Sequence, residues 1–274
     1  MKKKLLFGLS LVAVAAATVG VTYAVLQDET PVAVNVMTVG NVSIEQLEYQ
    51  RADKSVHVTS YAHEGDLIPF ADKEQVVLPS ISKNWEASDY TAEQTDLYCW
   101  GDYVTKTENV GCNGLWNPEK VENVIDKFVM VKNTGSTDAY FRTLVAVELP
   151  EGMTIGEIPQ GDDIMMNVNN GWYTYEYIGY IPYEGNRYAL MTFTYDKNND
   201  GILTAGETAR PSLLQFLFSD ALTNEDLEQF GNDGFKVLVA TQAVQATNLM
   251  TPSEALNDAF GEITTNNHPF KSTN

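Results

Sequence analysis

Histidine and cysteine are scarce in this 274-residue chain, and basic residues are few. There are three His, two Cys and 17 Lys plus Arg against 37 Asp plus Glu, for a formal net charge of -20. Neither an HExxH zinc motif nor a GxSxG nucleophile segment occurs. We therefore predict a protein that is not an enzyme. Such an acidic chain is also unsuited to nucleic acid and to anionic membrane surfaces as partners.

The first 24 residues have the layout of a secretory signal peptide. Three lysines precede a long apolar run in MKKKLLFGLSLVAVAAATVGVTYA, and Ala24 is a small residue at a suitable cleavage point. We predict that residues 1–24 direct export and are removed, so that the chain meets the membrane only during export. The apolar run continues to Leu26, and an uncleaved membrane anchor is the alternative. Without the leader the net charge is -23.

The rest of the sequence predicts a mainly β protein with one domain over residues 25–263. In 140–149 the alternate residues share one face, typical of a half-buried strand: Phe141, Thr143, Val145, Val147 and Leu149. The segment 236–246 predicts another long strand. Strand pairs are expected around the turn residues 133–136 and 184–186.

A short C-terminal helix is predicted to follow the last strand. Thr251 is the N-cap, Pro252 takes the first helical position, and Glu254 completes a capping box; Gly261 ends the helix after Phe260. A weaker helical turn is predicted from Thr223 and Asp226. Residues 264–274 are expected to be a flexible tail.

Residues 70–120 interrupt the strand pattern and predict a long insertion within the β domain. The insertion contains both cysteines, Cys99 and Cys112. In a secreted chain these two are expected to form a disulfide, which would contribute about 3 kcal/mol in the chain-entropy model. A metal-binding or catalytic pair is the alternative.

The segment DKNNDGILTAGE, residues 196–207, has the spacing of a calcium-binding EF-hand loop. The predicted oxygen ligands are Asp196, Asn198, Asp200, the Ile202 carbonyl, Thr204 through water, and a bidentate Glu207. A strand precedes the loop and Pro211 follows it, so we expect a strand–loop connection with calcium geometry and no helix pair. Calcium would be structural. The alternative is an ordinary polar hairpin loop.

Two further sets of residues are expected to have structural roles and no binding or catalytic role. Tyr173, Tyr175 and Tyr177 share one strand face, where cross-strand packing is expected and stacking on sugars is the alternative. Asp162 and Asp163 are expected to lie in a solvated turn.

Three longer stretches resemble one family: GVTYAVLQDETPVAVNVMTVGNVSIEQLE, IDKFVMVKNTGSTDAYFRTLVAVELPEG and VLVATQAVQATNLMTPSEALNDAFG. In this order they are similar to secreted proteins with a SipW-dependent type of signal peptide, the TasA and camelysin-like biofilm-matrix proteins of Gram-positive bacteria. The resemblance implies an extracellular jelly-roll or Ig-like antiparallel β-sandwich. In the TasA-like branch it implies subunits that form fibres, with an N-terminal strand completing the sheet of a neighbour.

We therefore expect a structural component of the cell surface or biofilm matrix, which associates with itself or with related matrix proteins. Val32–Val39, VAVNVMTV, is apolar or β-branched at nearly every position and is a candidate donor strand. An ordinary first strand is the alternative for this segment. The alternative functions are a surface binding module or adhesin, and a camelysin-like metal-dependent peptidase.

Overall fold

The structure is a computed structural model that describes residues 20–24, 36–39, 41–51, 67–70, 124–157, 162–169, 171–219, 222–230, 234–247 and 249–271. Residues 1–19 of the predicted leader, Cys99, Cys112 and the 70–120 insertion beyond Phe70 lie outside the described residues. The same holds for residues 25–35, which include the first four residues of the predicted donor strand Val32–Val39.

The described part contains twelve strands and two α-helices. The strands are β1 (Gly20–Ala24), β2 (Val36–Val39), β3 (Ile44–Arg51), β4 (Leu67–Pro69), β5 (Val124–Asn133), β6 (Ala139–Glu148), β7 (Ile155–Glu157), β8 (Ile164–Val168), β9 (Tyr173–Tyr183), β10 (Asn186–Tyr195), β11 (Leu213–Phe218) and β12 (Phe235–Gln245). The helices are α1 (Asn224–Glu228) and α2 (Pro252–Phe260). The predicted mainly β fold with a short C-terminal helix is confirmed.

The strands form two six-stranded sheets. The first sheet has the order β1-β12-β6-β10-β9, with β2 also on β12; the second has the order β4-β3-β5-β11-β8-β7. The hairpin predicted around residues 184–186 is confirmed, since β9 pairs antiparallel with β10 across Glu184 and Gly185. The strand pair expected around residues 133–136 is wrong: β5 and β6 flank that turn, but β5 lies in the second sheet and β6 in the first. The two sheets pack face to face as a β-sandwich.

The core between the sheets follows the two-residue period of the strands. From the first sheet it includes the alternate residues Phe141, Val145, Val147, Val237 and Val239, and from the second Val129, Val131 and Phe216. Phe141 stacks on Tyr195 with ring centroids 4.9 Å apart. Alternation in the sequence therefore identified the inward face of β6 correctly.

The C-terminal segment covers the opposite face of the first sheet. Leu256 of α2 packs with Tyr140 and Val244, and Phe270 is fully buried with Leu144 and other outward residues. As a result every residue of β6 is buried, so the half-buried strand predicted there is wrong. Phe270, within the segment expected to be a flexible tail, belongs to this layer, whereas residues 264–267 are exposed; residues 272–274 are outside the described part.

Both helix starts follow the predicted capping chemistry. Thr251 accepts a hydrogen bond from the Glu254 amide, Pro252 is in the first turn, and the helix ends at Phe260 before Gly261. Thr223 and Asp226 form the same reciprocal box at α1. The solvated turn predicted at Asp162 and Asp163 is wrong for Asp163, which is buried and accepts hydrogen bonds from the amide and hydroxyl of Thr154.

Candidate functional site

The free side of β12 is occupied by two segments from the N-terminal region. β1 pairs antiparallel with the first half of β12, joining Gly20 to Val239 and Ala24 to Phe235. β2 pairs parallel with the second half, joining Val36 to Thr241. Because β1 lies inside the predicted leader, the neighbour of Phe235–Val239 belongs to a part of the chain that is predicted to be removed.

β2 contains the second half of the predicted donor strand. In this single chain it pairs with β12 of the same subunit, as an ordinary first strand does. The attachment is short, at four residues, and Val39 remains 44% exposed. A short parallel edge strand contributes few backbone hydrogen bonds to its sheet.

The remaining sheet edges formed by described strands are poorly suited to adding a strand. β4 and β7, the ends of the second sheet, have three residues each. β9 ends the first sheet and has eleven residues, but its ladder shifts register opposite Leu190, Gly179 has a φ of +135°, and Pro182 lacks an amide proton. Short strands, bulges and proline are features that oppose edge-to-edge pairing. The first half of β12 has none of them.

Asn133 holds together the turn between β5 and β6 at one end of the sandwich. Its side-chain amide donates to the carbonyls of Thr137 (2.8 Å) and Leu203 (3.0 Å), and its oxygen accepts from the Gly135 amide (3.0 Å). The Asn133 side chain is fully buried. The turn also contacts the start of β3, because the Ser43 carbonyl accepts from the amides of Thr134 and Gly135. This gives the KNTGSTDA segment a physical role as a junction of three loops.

The calcium-like loop is the third member of that junction. Ala139 and Leu203 exchange two backbone hydrogen bonds, and the Asn133 carbonyl accepts from the Gly206 amide. The predicted absence of a helix pair is confirmed, since β10 enters the loop and a single 3-10 turn, Lys197–Asn199, follows.

Glu207, the predicted bidentate ligand, is held by groups within the loop. Its Oε1 accepts from Lys197 Nζ at 2.8 Å, and its Oε2 accepts from the Thr204 hydroxyl at 2.8 Å and the Thr204 amide at 3.1 Å. Burial would raise the pKa of Glu207, but the hydrogen bonds from Lys197 and Thr204 outweigh it and lower the pKa. The carboxylate is therefore ionised and already has a cationic partner.

Two of the other predicted ligands, Asp196 and Asp200, also have hydrogen-bond contacts near the loop. Asp200 Oδ1 accepts from the Ile202 amide at 3.0 Å, and Asp196 Oδ2 is 3.5 Å from the Thr174 hydroxyl. Asn198 lies within the 3-10 turn. In the part of the chain that is described, no group of three or more His, Cys, Asp or Glu residues is arranged to hold a metal ion.

Gly201 fixes the bend of the loop. Its φ is +62°, a left-handed conformation that favours glycine. A Cβ at this position would lie 2.7 Å from the Tyr195 carbonyl oxygen and would overlap the ring of Pro252 at the start of α2. The glycine that the calcium motif requires is thus also required by packing against the C-terminal helix.

The tyrosine row is mostly a packing feature. Tyr173 is buried and lies 5.4 Å from Tyr195 by ring centroids, and Tyr175 lies 5.3 Å from Phe193. These contacts favour the cross-strand packing expected for the row. Tyr177 is 43% exposed.

No protein-family model, curated protein or solved structure matches the chain. Within the described ranges, no helix has the length and apolarity needed to cross a membrane.

Proposed function

We propose that this chain is a secreted structural subunit of the cell surface or biofilm matrix, which associates with copies of itself or with related matrix proteins by strand addition at β12. The observation that carries the proposal is the pairing of β1, a strand within the predicted leader, with Phe235–Val239. Cleavage after Ala24 would remove this strand. The first half of β12 would then have unpaired backbone groups ready to accept a strand from another subunit.

The same strand would act as a cover before export. While the leader is attached, β1 and β2 together occupy the free side of β12. Assembly would begin only after the leader is removed, when β2 and the residues preceding it are able to pair with the β12 of a neighbour. A head-to-tail contact of this kind extends into a filament if its rotation does not close a ring.

The test compares residues 25–274 with the full chain whose leader is retained. We expect the shorter protein to form filaments in electron micrographs and larger species in light scattering as its concentration rises, and the full chain to remain monomeric. Deletion of Val25–Val39 should abolish assembly. A mature protein that stays monomeric at high concentration, or filaments that survive the deletion, would overturn the proposal.

A matched pair of substitutions at Thr38 sharpens the test. Thr38 is an exposed residue of β2, so neither variant disturbs the core. Thr38→Pro interferes with the ladder of the donor strand, whereas Thr38→Val preserves a β-branched residue there. Assembly of the Pro variant should fail while that of the Val variant matches the parent.

A structural calcium ion at the 196–207 loop stays a prediction. Calcium would have to displace Lys197 from Glu207, because the ammonium and the cation compete for one carboxylate. In calorimetry we expect Lys197→Met to bind calcium more tightly than the parent, whose dissociation constant should be about 10⁻⁴–10⁻³ M as in extracellular modules. Glu207→Gln should abolish binding. Equal titrations of the parent and the Gln variant would reject the site.

A further inference from the structure

A lysine and a glutamate lie buried against each other between the sheets. Lys127 is on β5 and Glu48 on the adjacent strand β3, and each side chain is only 1% exposed. Lys127 Nζ donates a hydrogen bond to Glu48 Oε2. Lysine and glutamate are among the residues least often found fully buried, so an inward-facing pair in a sandwich core needs a reason.

The surroundings of the Lys127 amino group are desolvated and include an aromatic ring. Lys127 Nζ is 3.9 Å from the centroid of the Phe70 ring. Burial lowers the pKa of Lys127 to about 8, although the adjacent Glu48 carboxylate acts in the opposite direction. Transfer of one proton from the ammonium to the carboxylate gives an uncharged amine beside an uncharged carboxylic acid, which a low-dielectric site tolerates better than two ions.

The second oxygen of Glu48 also has a fixed partner. Gln46 Nε2 donates to Glu48 Oε1 at 2.7 Å, and Gln46 Oε1 accepts from the Thr241 hydroxyl of the opposite sheet at 2.7 Å. The Thr241 contact orients the Gln46 amide so that its N–H group points at the carboxyl. This is the placement needed for a donor that stabilises an oxyanion.

We infer that Lys127 and Glu48 form an intramolecular amide crosslink. After the proton transfer, the Lys127 amine attacks the carboxyl carbon of Glu48, and the new C–N bond produces a tetrahedral intermediate. Gln46 hydrogen-bonds the oxygen that stays as the amide carbonyl. The other oxygen leaves with two protons as water, so the step needs no oxidant and no cofactor. Two reactants held in contact by packed strands gain the rate advantage of an intramolecular reaction.

The crosslink would join β3 to β5 across a sequence separation of 79 residues. It would therefore bypass the long insertion that lies between these strands in sequence. A tensile force that enters through the chain at β3 would pass directly to the neighbouring strand β5 through a covalent bond. The crosslink does not depend on the proposed assembly, because a monomer forms it equally well.

Intact-mass measurement of the purified, reduced and denatured protein tests the inference. We expect a mass lower than that of the sequence by one water molecule. A tryptic map should contain one branched peptide that joins the Glu48 and Lys127 segments, since trypsin does not cleave after an acylated lysine. A protein with the full sequence mass, or with Glu48 and Lys127 in separate peptides, would overturn the inference. A water loss that maps to Asp200–Gly201 would overturn it as well.

Two variants and a control extend the test. Lys127→Met and Glu48→Leu should each restore the full mass and eliminate the branched peptide. Lys132→Met, a change at a partly exposed lysine of the same strand, should retain the loss of one water. If a variant fails to fold, the mass and peptide map of the parent still decide the question.

Discussion

Replacing Asn133 with alanine should loosen the end of the sandwich where three loops meet. The fully buried Asn133 side chain makes three hydrogen bonds of 2.8–3.0 Å, with two carbonyls and one amide as partners. Alanine would leave those three backbone groups without this partner. At about 0.5–1.5 kcal/mol for each net hydrogen bond, the free energy of unfolding should fall by about 2–4 kcal/mol.

Urea unfolding of the full chain, which is expected to remain monomeric, followed by circular dichroism, measures this change. The midpoint should move to lower urea with the slope unchanged, which indicates lost stability and an unaltered denatured state. Thr134→Ala is the matched control, because Thr134 is exposed and its hydroxyl forms an exposed hydrogen bond with the Ser43 hydroxyl at 2.9 Å. The control should cost at most about 0.5 kcal/mol.

Asn133→Asp separates the donor role from the acceptor role. Aspartate preserves the acceptor for the Gly135 amide but points an oxygen at the Thr137 and Leu203 carbonyls, so it should destabilise the protein at least as much as alanine. A loss below about 1 kcal/mol for Asn133→Ala would refute the assignment of a junction to this residue, since even weak hydrogen bonds would sum to more.

Three further outcomes are expected. Gly201→Ala should lower the free energy of unfolding by about 1–3 kcal/mol in thermal unfolding, because its positive φ and its close neighbours both oppose a Cβ. Gly185→Ala is the control: its φ is also positive, but a Cβ there would have nothing within 4 Å, so the loss should be about 1 kcal/mol or less. Folding lowers the pKa of Glu207 below 4.5, so the ionised Glu207 carboxylate stabilises the folded protein above that pH. This contribution to the free energy of unfolding is lost as the pH falls through the folded-state pKa, and Glu207→Gln should flatten that part of a curve of stability against pH. Arg142 donates hydrogen bonds to Gln242, Asn257 and the Gly261 carbonyl, so Arg142→Met should raise amide exchange in α2 about tenfold while exchange in the β9–β10 hairpin stays unchanged.

Local chemistry made several elements predictable. The box of Thr251 and Glu254 with Pro252 between them specifies a helix start without reference to the remainder of the chain. The turn residues between β9 and β10 likewise specify a hairpin, because Glu184 and Gly185 both adopt positive φ there. Such features depend on interactions within a few residues, which a sequence contains in full.

Features that depend on distant segments were missed. Alternation in β6 identified its inner face correctly but predicted that its outer face is exposed. That face is covered by Phe270 and Leu256, and nothing in residues 139–148 indicates this. The calcium motif predicted ligands from spacing alone and did not reveal that Lys197 reaches Glu207. The pair of Lys127 and Glu48 carries no local signal, since a charged residue in a strand ordinarily indicates a solvated face.

Amino-acid order alone specified a mainly β chain with its β9–β10 hairpin, capped helices and leader-like N-terminus, because periodicity, turn residues and caps act over a few positions. Tertiary structure decided which strand edge is covered by which segment, which sheet each strand joins, which loops meet at Asn133, and which lysine and glutamate are buried together. Those outcomes depend on how two sheets pack and which strands become neighbours, and long-range pairing of this kind is determined only by the folded chain as a whole.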